Sequence, residues 1–273
     1  IILAMCIAFY VGVPKRRKRD VMRWKLWEAY LHYHQVEVVD DSGGTHDRSR
    51  GKQKILNMVP HGVVPWGIAL PAVSARMESI FQPLRAIVAT ATGYLPVVGG
   101  VAKSVEVVDA SKVNVERALS GGHSLAVNPG GISEMFAANP NKEEEFALLK
   151  ERKGYARMAI RFNVPVQPIY VFGSSRLYRR LDVPVLERFS KIFKIAVVLI
   201  YGRFGLPVPF PVKLLYVIGK TIEGGRLESG QEGELEALSD ELHDKVQGEM
   251  KRLFEGHKLR YDADWAGKRL TLI

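Results

Sequence analysis

His61 stands between Pro60 and Gly62, directly after the apolar run Ile55 to Val59. An imidazole is the side chain best suited to take up a proton near neutral pH. Pro60 cannot donate to a sheet ladder, and Gly62 tolerates backbone angles closed to other residues. The chain must therefore leave a strand at His61 in a tight turn. That places His61 at the carboxyl end of a strand, the edge where open α/β sheets keep their ligands. A second turn of the same kind, Asn128-Pro129-Gly130-Gly131, follows the apolar run Ser124 to Val127 and precedes Glu134. Taken alone, His61 reads as the cap of a turn. Two strand-end turns, one bearing an imidazole and one a carboxylate, make a candidate acid–base site.

The elements that must position these residues follow from periodicity and turn chemistry. Ile55 to Val59, Ala86 to Ala91, Ser104 to Val108, Ser124 to Val127, Val166 to Phe172 and Leu214 to Ile218 read as strands, with Val36 to Val39 a shorter one. Helical spacing covers Val21 to Tyr33, Trp66 to Ile80 with a bend near Pro71, and Ser111 to Leu119, which Gly121-Gly122 stops. A short helix is expected from about Ile132, and another from Arg152 to near Asn163. A long amphipathic helix carries Leu235, Leu238, Leu242, Val246, Met250 and Leu253 at steps of three and four, with Ser239 or Asp240 as the cap of its start. Asp40 to Gln53 is a polar loop rich in turn formers, and His32 and His34 read as structural. Strand–helix alternation with short connections predicts an α/β fold, a mostly parallel central sheet covered by helices.

In the helix that follows Arg152, Tyr155, Met158, Ala159 and Phe162 share one face, whereas Lys153, Arg157 and Arg161 recur every four residues on another. No acidic residue lies between Lys153 and Arg161 in the sequence. A run of cations beginning at a helix N-terminus suits a phosphate, and a solvated outer face is the plainer alternative.

Composition sets the outer bounds. The 273 residues are 47% hydrophobic and 25% charged, ordinary globular usage, and 39 basic against 29 acidic side chains give a formal charge of +10. That excess points to an anionic partner: a nucleic acid, a phosphate-bearing molecule or an anionic membrane surface. The single cysteine, Cys6, excludes intrachain disulfides and multi-cysteine zinc sites. Ile1 to Val13 is almost wholly apolar and is followed at once by Lys15-Arg16-Arg17-Lys18-Arg19. It is shorter than the ~20 residues a spanning helix needs. With no initial methionine, residues 1–20 are expected to be the end of a longer membrane segment and its basic flank. Residues 21–273 are then one domain. A serine hydrolase would need a Gly-x-Ser-x-Gly elbow and a nucleotide-binding enzyme a glycine-rich phosphate loop, and the sequence has neither.

Several stretches together resemble the type-2 diacylglycerol acyltransferases and their monoacylglycerol and wax-alcohol relatives, within the wider glycerolipid acyltransferase superfamily. They are Arg152-Lys153-Gly154-Tyr155 through Val166-Gln167-Pro168 to Phe172-Gly173, Gly130-Gly131-x-x-Glu134, Tyr201-Gly202-Arg203, and Leu253-Phe254-Glu255-Gly256-His257-Lys258. The resemblance runs from about Trp24 to the end. The family often has His-Pro-His-Gly; here Val59 replaces the first histidine and leaves His61 alone. Tyr33-His34 stands near the place where many members carry Tyr-Phe-Pro.

The resemblance implies a membrane-bound enzyme that moves a fatty acyl group from acyl-CoA to a lipid alcohol. Diacylglycerol is the leading acceptor, ahead of monoacylglycerol and of wax or isoprenoid alcohols; a lipid hydrolase or a non-enzymatic membrane-binding module stands further back. His61 is the expected base, and Glu134 the carboxylate on the far ring nitrogen. The Gly130-Gly131 amides are expected to face the developing oxyanion. Substrate contacts are expected from Pro60, Gly62, Gly130, Gly131, Arg152, Lys153, Gly154, Arg157 and Arg203, with Lys153, Arg157 and Arg203 meeting the coenzyme A phosphates. Acyl-CoA enters as a co-substrate, and neither a metal nor a further cofactor is called for. The partners are acyl-CoA, the alcohol and membrane lipids, with no nucleic acid. The expected location is a membrane, the endoplasmic reticulum or a lipid droplet, with a plastid as the alternative.

Overall fold

The computed structural model describes residues 18–90, 92, 98–131, 133–134, 143–181, 199–206, 208–227 and 232–273. In chain order the elements are α1 (Lys18–Met22), α2 (Lys25–Tyr33), β1 (Glu37–Asp40), α3 (Thr45–Arg48), β2 (Ile55–Val59), α4 (Trp66–Val73), α5 (Ala75–Phe81), β3 (Arg85–Val88), α6 (Val98–Ser104), β4 (Val108–Asp109), α7 (Lys112–Ser120) and β5 (Leu125–Val127). They continue with β6 (Glu144–Ala147), α8 (Gly154–Phe162), β7 (Val166–Phe172), β8 (Arg179–Leu181), β9 (Leu199–Tyr201), β10 (Leu215–Ile218), α9 (Leu235–Tyr261) and β11 (Arg269–Leu272).

A seven-stranded sheet in the order β1-β10-β7-β2-β5-β3-β4 forms the middle layer. Its ladders are parallel except that β10 runs antiparallel to β7. Strands β2 and β7 are buried along their whole length, which is why they read as near-continuous apolar runs, interrupted by the buried Asn57 and Gln167, rather than as alternating ones. Alternate side chains feed two cores. Ile55, Val59, Tyr170 and Phe172 face α8 and α9, whereas Leu56, Met58, Ile169 and Val171 face α2, α4 and α5. The expected mostly parallel, helix-covered sheet is therefore present.

The apolar stripe of α9 is buried against β7, and every residue picked out from its spacing packs into the same core. Phe254 stacks on Phe172 at 5.7 Å between ring centroids, and Tyr261 stacks on Phe172 at 5.4 Å. Truncating Phe254, which is fully buried, is expected to cost about 3–5 kcal/mol. The helix begins a turn earlier than expected. Ser239 bonds back to the Leu235 carbonyl within the helix rather than capping its start, and Asp240 is turned toward Lys153.

Two local expectations change. Ser104 to Val108 is not a strand: α6 ends at Ser104, Glu106 adopts a left-handed conformation at φ 58°, and only Val108–Asp109 joins the sheet. Val101 on α6 and Val105 just after it pack into the core beside Leu56, Met58 and Ala126, and that packing overrides the β-branched composition of the stretch. The interruption expected at Pro71 lies instead at Ser74, an extended residue that caps α5 through Oγ and the Met77 amide. Pro71 is tolerated inside α4 because the Gly67 carbonyl, which it cannot serve, accepts the Tyr216 hydroxyl. The polar stretch Asp40 to Gln53 holds the short α3, whose His46 is buried.

Among the described residues no helix is long and apolar enough to cross a membrane. Of the expected membrane segment and basic flank, residues 1–20, positions 1–17 lie outside the described residues and 18–20 open α1; most of the short helix expected from Ile132 also lies outside the described residues.

Candidate active site

Three neighbouring strands, β5, β2 and β7, end at the same sheet edge, and each ends in a turn that holds a glycine. β2 runs into Val59-Pro60, a cis peptide bond, and then into His61. Gly62 follows with φ +68°, where a Cβ would come within 2.5 Å of the Ser174 carbonyl oxygen and 3.2 Å of Ser175 Cα. Only glycine allows the His61 turn to lie this close to the turn after β7. The β5 turn is locked to its neighbour by Asn128, whose Nδ2 donates to the Met58 carbonyl at 2.8 Å and whose Oδ1 accepts from the Gly131 amide at 2.8 Å.

The structure brings His61 and Glu134 together, but not through the ring. Glu134 Oε1 accepts the backbone N–H of His61 at 2.6 Å, and Oε2 is buried without a hydrogen-bond partner. The space for Oε2 exists because Gly130 has no side chain; a Cβ there would collide with it. Burial pushes the Glu134 carboxyl up to about 7, opposed by the amides of His61, Leu148 and Gly62 and by the Asn128 side chain.

His61 Nδ1 instead lies 2.8 Å from the Gly62 carbonyl oxygen. A carbonyl can only accept, so Nδ1 carries the hydrogen and Nε2 keeps its lone pair. Burial also holds the ring below the usual imidazole range, with the Gly62 bond pulling the other way. The carboxylate expected on the imidazole is thus replaced by a main-chain carbonyl, while Glu134 grips the backbone from which the ring projects. The Gly131 amide, expected to face an oxyanion, is taken up by Asn128.

The basic stripe on α8 is not an unbalanced field. Lys153 pairs with Asp240 at 2.5 Å, Arg157 forms a two-pronged pair with Glu236 at 2.6 and 2.9 Å, and Arg161 lies 3.3 Å from Glu116. These carboxylates come from α9 and α7, so their proximity cannot be read from the α8 sequence. Gly154 opens α8 with nothing near the place a Cβ would take. Arg203 sits in an exposed turn after β9 with its guanidinium 4.8 Å from the Phe204 ring centroid. Arg152 is exposed and lines a cleft of about 290 Å³ with Leu148, Lys150, Glu151 and Ile273. Leu148 is also the residue that backs Gly130, its Cβ within 3.0 Å of where a Gly130 Cβ would stand. Arg152 is therefore the expected basic contact that the structure links to the Glu134 turn.

Sequence reasoning missed the residues that support the site. Ser174 and Ser175 wall the His61 turn, Glu145 on β6, a strand outside the main sheet, accepts from Ser175, and Leu148, just past β6, backs Gly130. The only local signal was Gly173-Ser174-Ser175 at the end of β7. Among the described residues no three His, Cys, Asp or Glu side chains gather at metal-ligand spacing.

A family model described as "Diacylglycerol acyltransferase" matches residues 1–271. The chain is 25% identical to "Diacylglycerol O-acyltransferase 2-like protein 6" of Bos taurus, over 94% of this chain and 80% of the relative. It is also 25% identical to "2-acylglycerol O-acyltransferase 1" of Homo sapiens, over 90% of this chain and 76% of the relative. Among solved structures it resembles the 1-acyl-sn-glycerophosphate acyltransferase PlsC of Thermotoga maritima, with a TM-score of 0.48, 13% identity, and coverage of 90% of this chain and 88% of that one. With the match running over nearly its whole length, the chain belongs to the diacylglycerol acyltransferase family and is an O-acyltransferase of the type-2-like kind.

Proposed function

We propose that this protein transfers a fatty acyl group from acyl-CoA to the free hydroxyl of diacylglycerol, with His61 as general base. The observation that carries the reading is the bond between His61 Nδ1 and the Gly62 carbonyl. It fixes the tautomer that leaves Nε2 as a proton acceptor at a sheet edge. A neutral alcohol is a poor nucleophile, so Nε2 takes its proton as the oxygen attacks the thioester carbon. The C–O bond forms, the C–S bond breaks, and the proton passes from the imidazolium to the departing sulfur. A depressed imidazole pKa keeps the base neutral at cellular pH. Glu134 holds the His61 backbone and, when ionised, favours the imidazolium through space.

In this reading the coenzyme A phosphates are met first by Arg152, beside the Glu134 turn. Lys153 and Arg157 join only if the anion displaces Asp240 and Glu236, and Arg203 contributes from the β9 turn. Pro60, Gly62, Gly130, Gly131 and Gly154 shape the space rather than bind charge. The apolar and basic residues 1–20 hold the protein on a membrane, and 21–273 carry the chemistry. The compartment we assign is the endoplasmic reticulum or a lipid droplet.

A monoacylglycerol acceptor is the second reading, because a 2-acylglycerol acyltransferase is as similar to this chain as a diacylglycerol acyltransferase-like protein. The test is to incubate the protein in micelles with acyl-CoA and follow released thiol, alone and with diacylglycerol, monoacylglycerol or a long-chain alcohol. Thiol release that depends on diacylglycerol and yields triacylglycerol supports the proposal. Release without any acceptor indicates a hydrolase, and release with monoacylglycerol alone moves the assignment to the second reading.

A further inference from the structure

Strands β6 and β11 form a small parallel sheet apart from the main one, and the chemistry proposed above gives them no part. Between this pair and the His61 turn lies a buried charged cluster. Glu145 on β6 is 1% exposed and Lys268, just before β11, is 2% exposed. Lys268 Nζ is 3.2 Å from Glu145 Oε1, Arg176 Nε is 3.5 Å from the same oxygen, and Ser175 Oγ donates to Glu145 Oε2 at 2.7 Å. Lys268 and Arg176 both lie over the Trp265 ring, at 4.6 and 4.5 Å from its centroid.

A buried ion pair is a poor way to gain stability, because desolvation offsets most of the attraction; what it does well is fix one geometry. Here the geometry leads toward the proposed base. Ser175 Cα lies against Gly62, and the Gly62 carbonyl sets the His61 tautomer. Three residues on from Glu145, just past the end of β6, Leu148 backs Gly130 and so the Glu134 side chain that holds the His61 amide.

We propose that Lys268, Glu145 and Ser175 are positioning residues that seat the His61–Gly62 turn, so that the segment after α9 acts on the reaction without touching substrate. The proposal rests on the reading of His61 as the base. Lys268 holds Glu145 in one place, Glu145 holds the Ser175 hydroxyl, and Ser175 holds the backbone against which Gly62 packs. A displacement of about an ångström at a reacting group costs on the order of 10²-fold in rate.

Four variants test this with full-length protein in micelles, reading unfolding midpoint, kcat and KM for acyl-CoA and for the alcohol. Ser175→Ala should lower kcat by about 10²-fold, with both KM values and the midpoint near wild type. Lys268→Met should lower kcat and also the midpoint, because Glu145 loses the nearer and more deeply buried of its two cations and keeps only Arg176. Glu145→Gln/Lys268→Met removes the buried lysine and carboxylate together, leaves Arg176, whose side chain is one-third exposed, to solvent, and keeps an amide oxygen to accept from Ser175, so kcat should recover to within a few-fold. Glu145→Leu/Lys268→Met should be as stable as the Gln/Met pair yet as slow as Ser175→Ala. Wild-type kcat in Ser175→Ala, or equal kcat in the two double variants at equal midpoints, overturns the proposal. His61→Ala separates this from the underlying reading: if it turns over normally, the base assignment is wrong, whereas an inactive His61→Ala beside a fully active Ser175→Ala removes only the relay.

Discussion

Replacing Glu134 by glutamine removes a carboxyl that folding holds in an unfavourable place. Its pKa rises from an ordinary 4.5 to about 7 in the folded chain, chiefly through burial. Below pH 4.5 both folded and unfolded chains keep the proton, and the site is neutral in the balance. Between 4.5 and 7 the unfolded chain has released a proton that the folded chain still holds, so raising the pH favours unfolding. Above 7 the native state carries the full penalty, roughly 3 kcal/mol at about 1.36 kcal/mol per pKa unit. Most of this develops between pH 5 and 8. Glutamine keeps an oxygen for the His61 amide but cannot ionise, so its folded state escapes the trend. The stability of wild type minus that of Glu134→Gln should therefore fall by roughly 2–3 kcal/mol from pH 5 to 8. Urea unfolding of both proteins in micelles, followed by tryptophan fluorescence, measures the difference, and other titrating groups largely cancel. A difference constant to within about 0.5 kcal/mol across that range would show that the carboxyl is not held as described. Because the side chain grips the backbone and not the ring, kcat should fall less in Glu134→Gln than in Glu134→Ala.

His61→Ala should lose about 10²- to 10⁴-fold in kcat while still binding acyl-CoA. In the wild type the ascending limb of kcat/KM should lie below pH 6.5, since burial depresses the imidazole; a limb well above 7 would mean another base. Arg152→Ala should raise KM for acyl-CoA more than for the alcohol, whereas equal effects on both substrates would remove it from phosphate binding. Glu236→Gln combined with Asp240→Asn releases Lys153 and Arg157 from their carboxylates and should lower KM for acyl-CoA severalfold if these cations serve the phosphates; an unchanged KM leaves them as surface pairs. Neutralising Lys15 to Arg19 should weaken binding to anionic vesicles by up to ~1 kcal/mol per cation, least at Lys18, which is paired with Glu78. A chain beginning at Val21 that binds as tightly would refute that assignment.

What the sequence determined by itself is local or periodic. Apolar runs bounded by turn residues marked β2, β5 and β7, and Pro60 with Gly62 marked the exit of the chain at His61. The steps of three and four marked the buried stripe of α9 before its partner strand was known. These signals are legible because backbone preference and amphipathic spacing are properties of neighbouring residues. Ser104 to Val108 does not follow the strand reading for the same reason: in so short an apolar stretch only packing decides where a helix ends and a strand begins, and Val105 packs into the core just past the end of α6.

The charges were decided by the tertiary structure alone. Lys153 and Arg157 looked unbalanced because Asp240 and Glu236 lie about eighty residues away and meet them only where α8 packs on α9. Glu134 was placed near His61 correctly, yet a spacing of residues cannot say whether a carboxylate meets a ring or a backbone amide. Here the Gly130 cavity and the β2 turn send it to the amide. Glu145 and Lys268, far apart in the chain, carry no motif at all. An electrostatic partner acts across a few ångströms of space, and only the fold sets which residues share them.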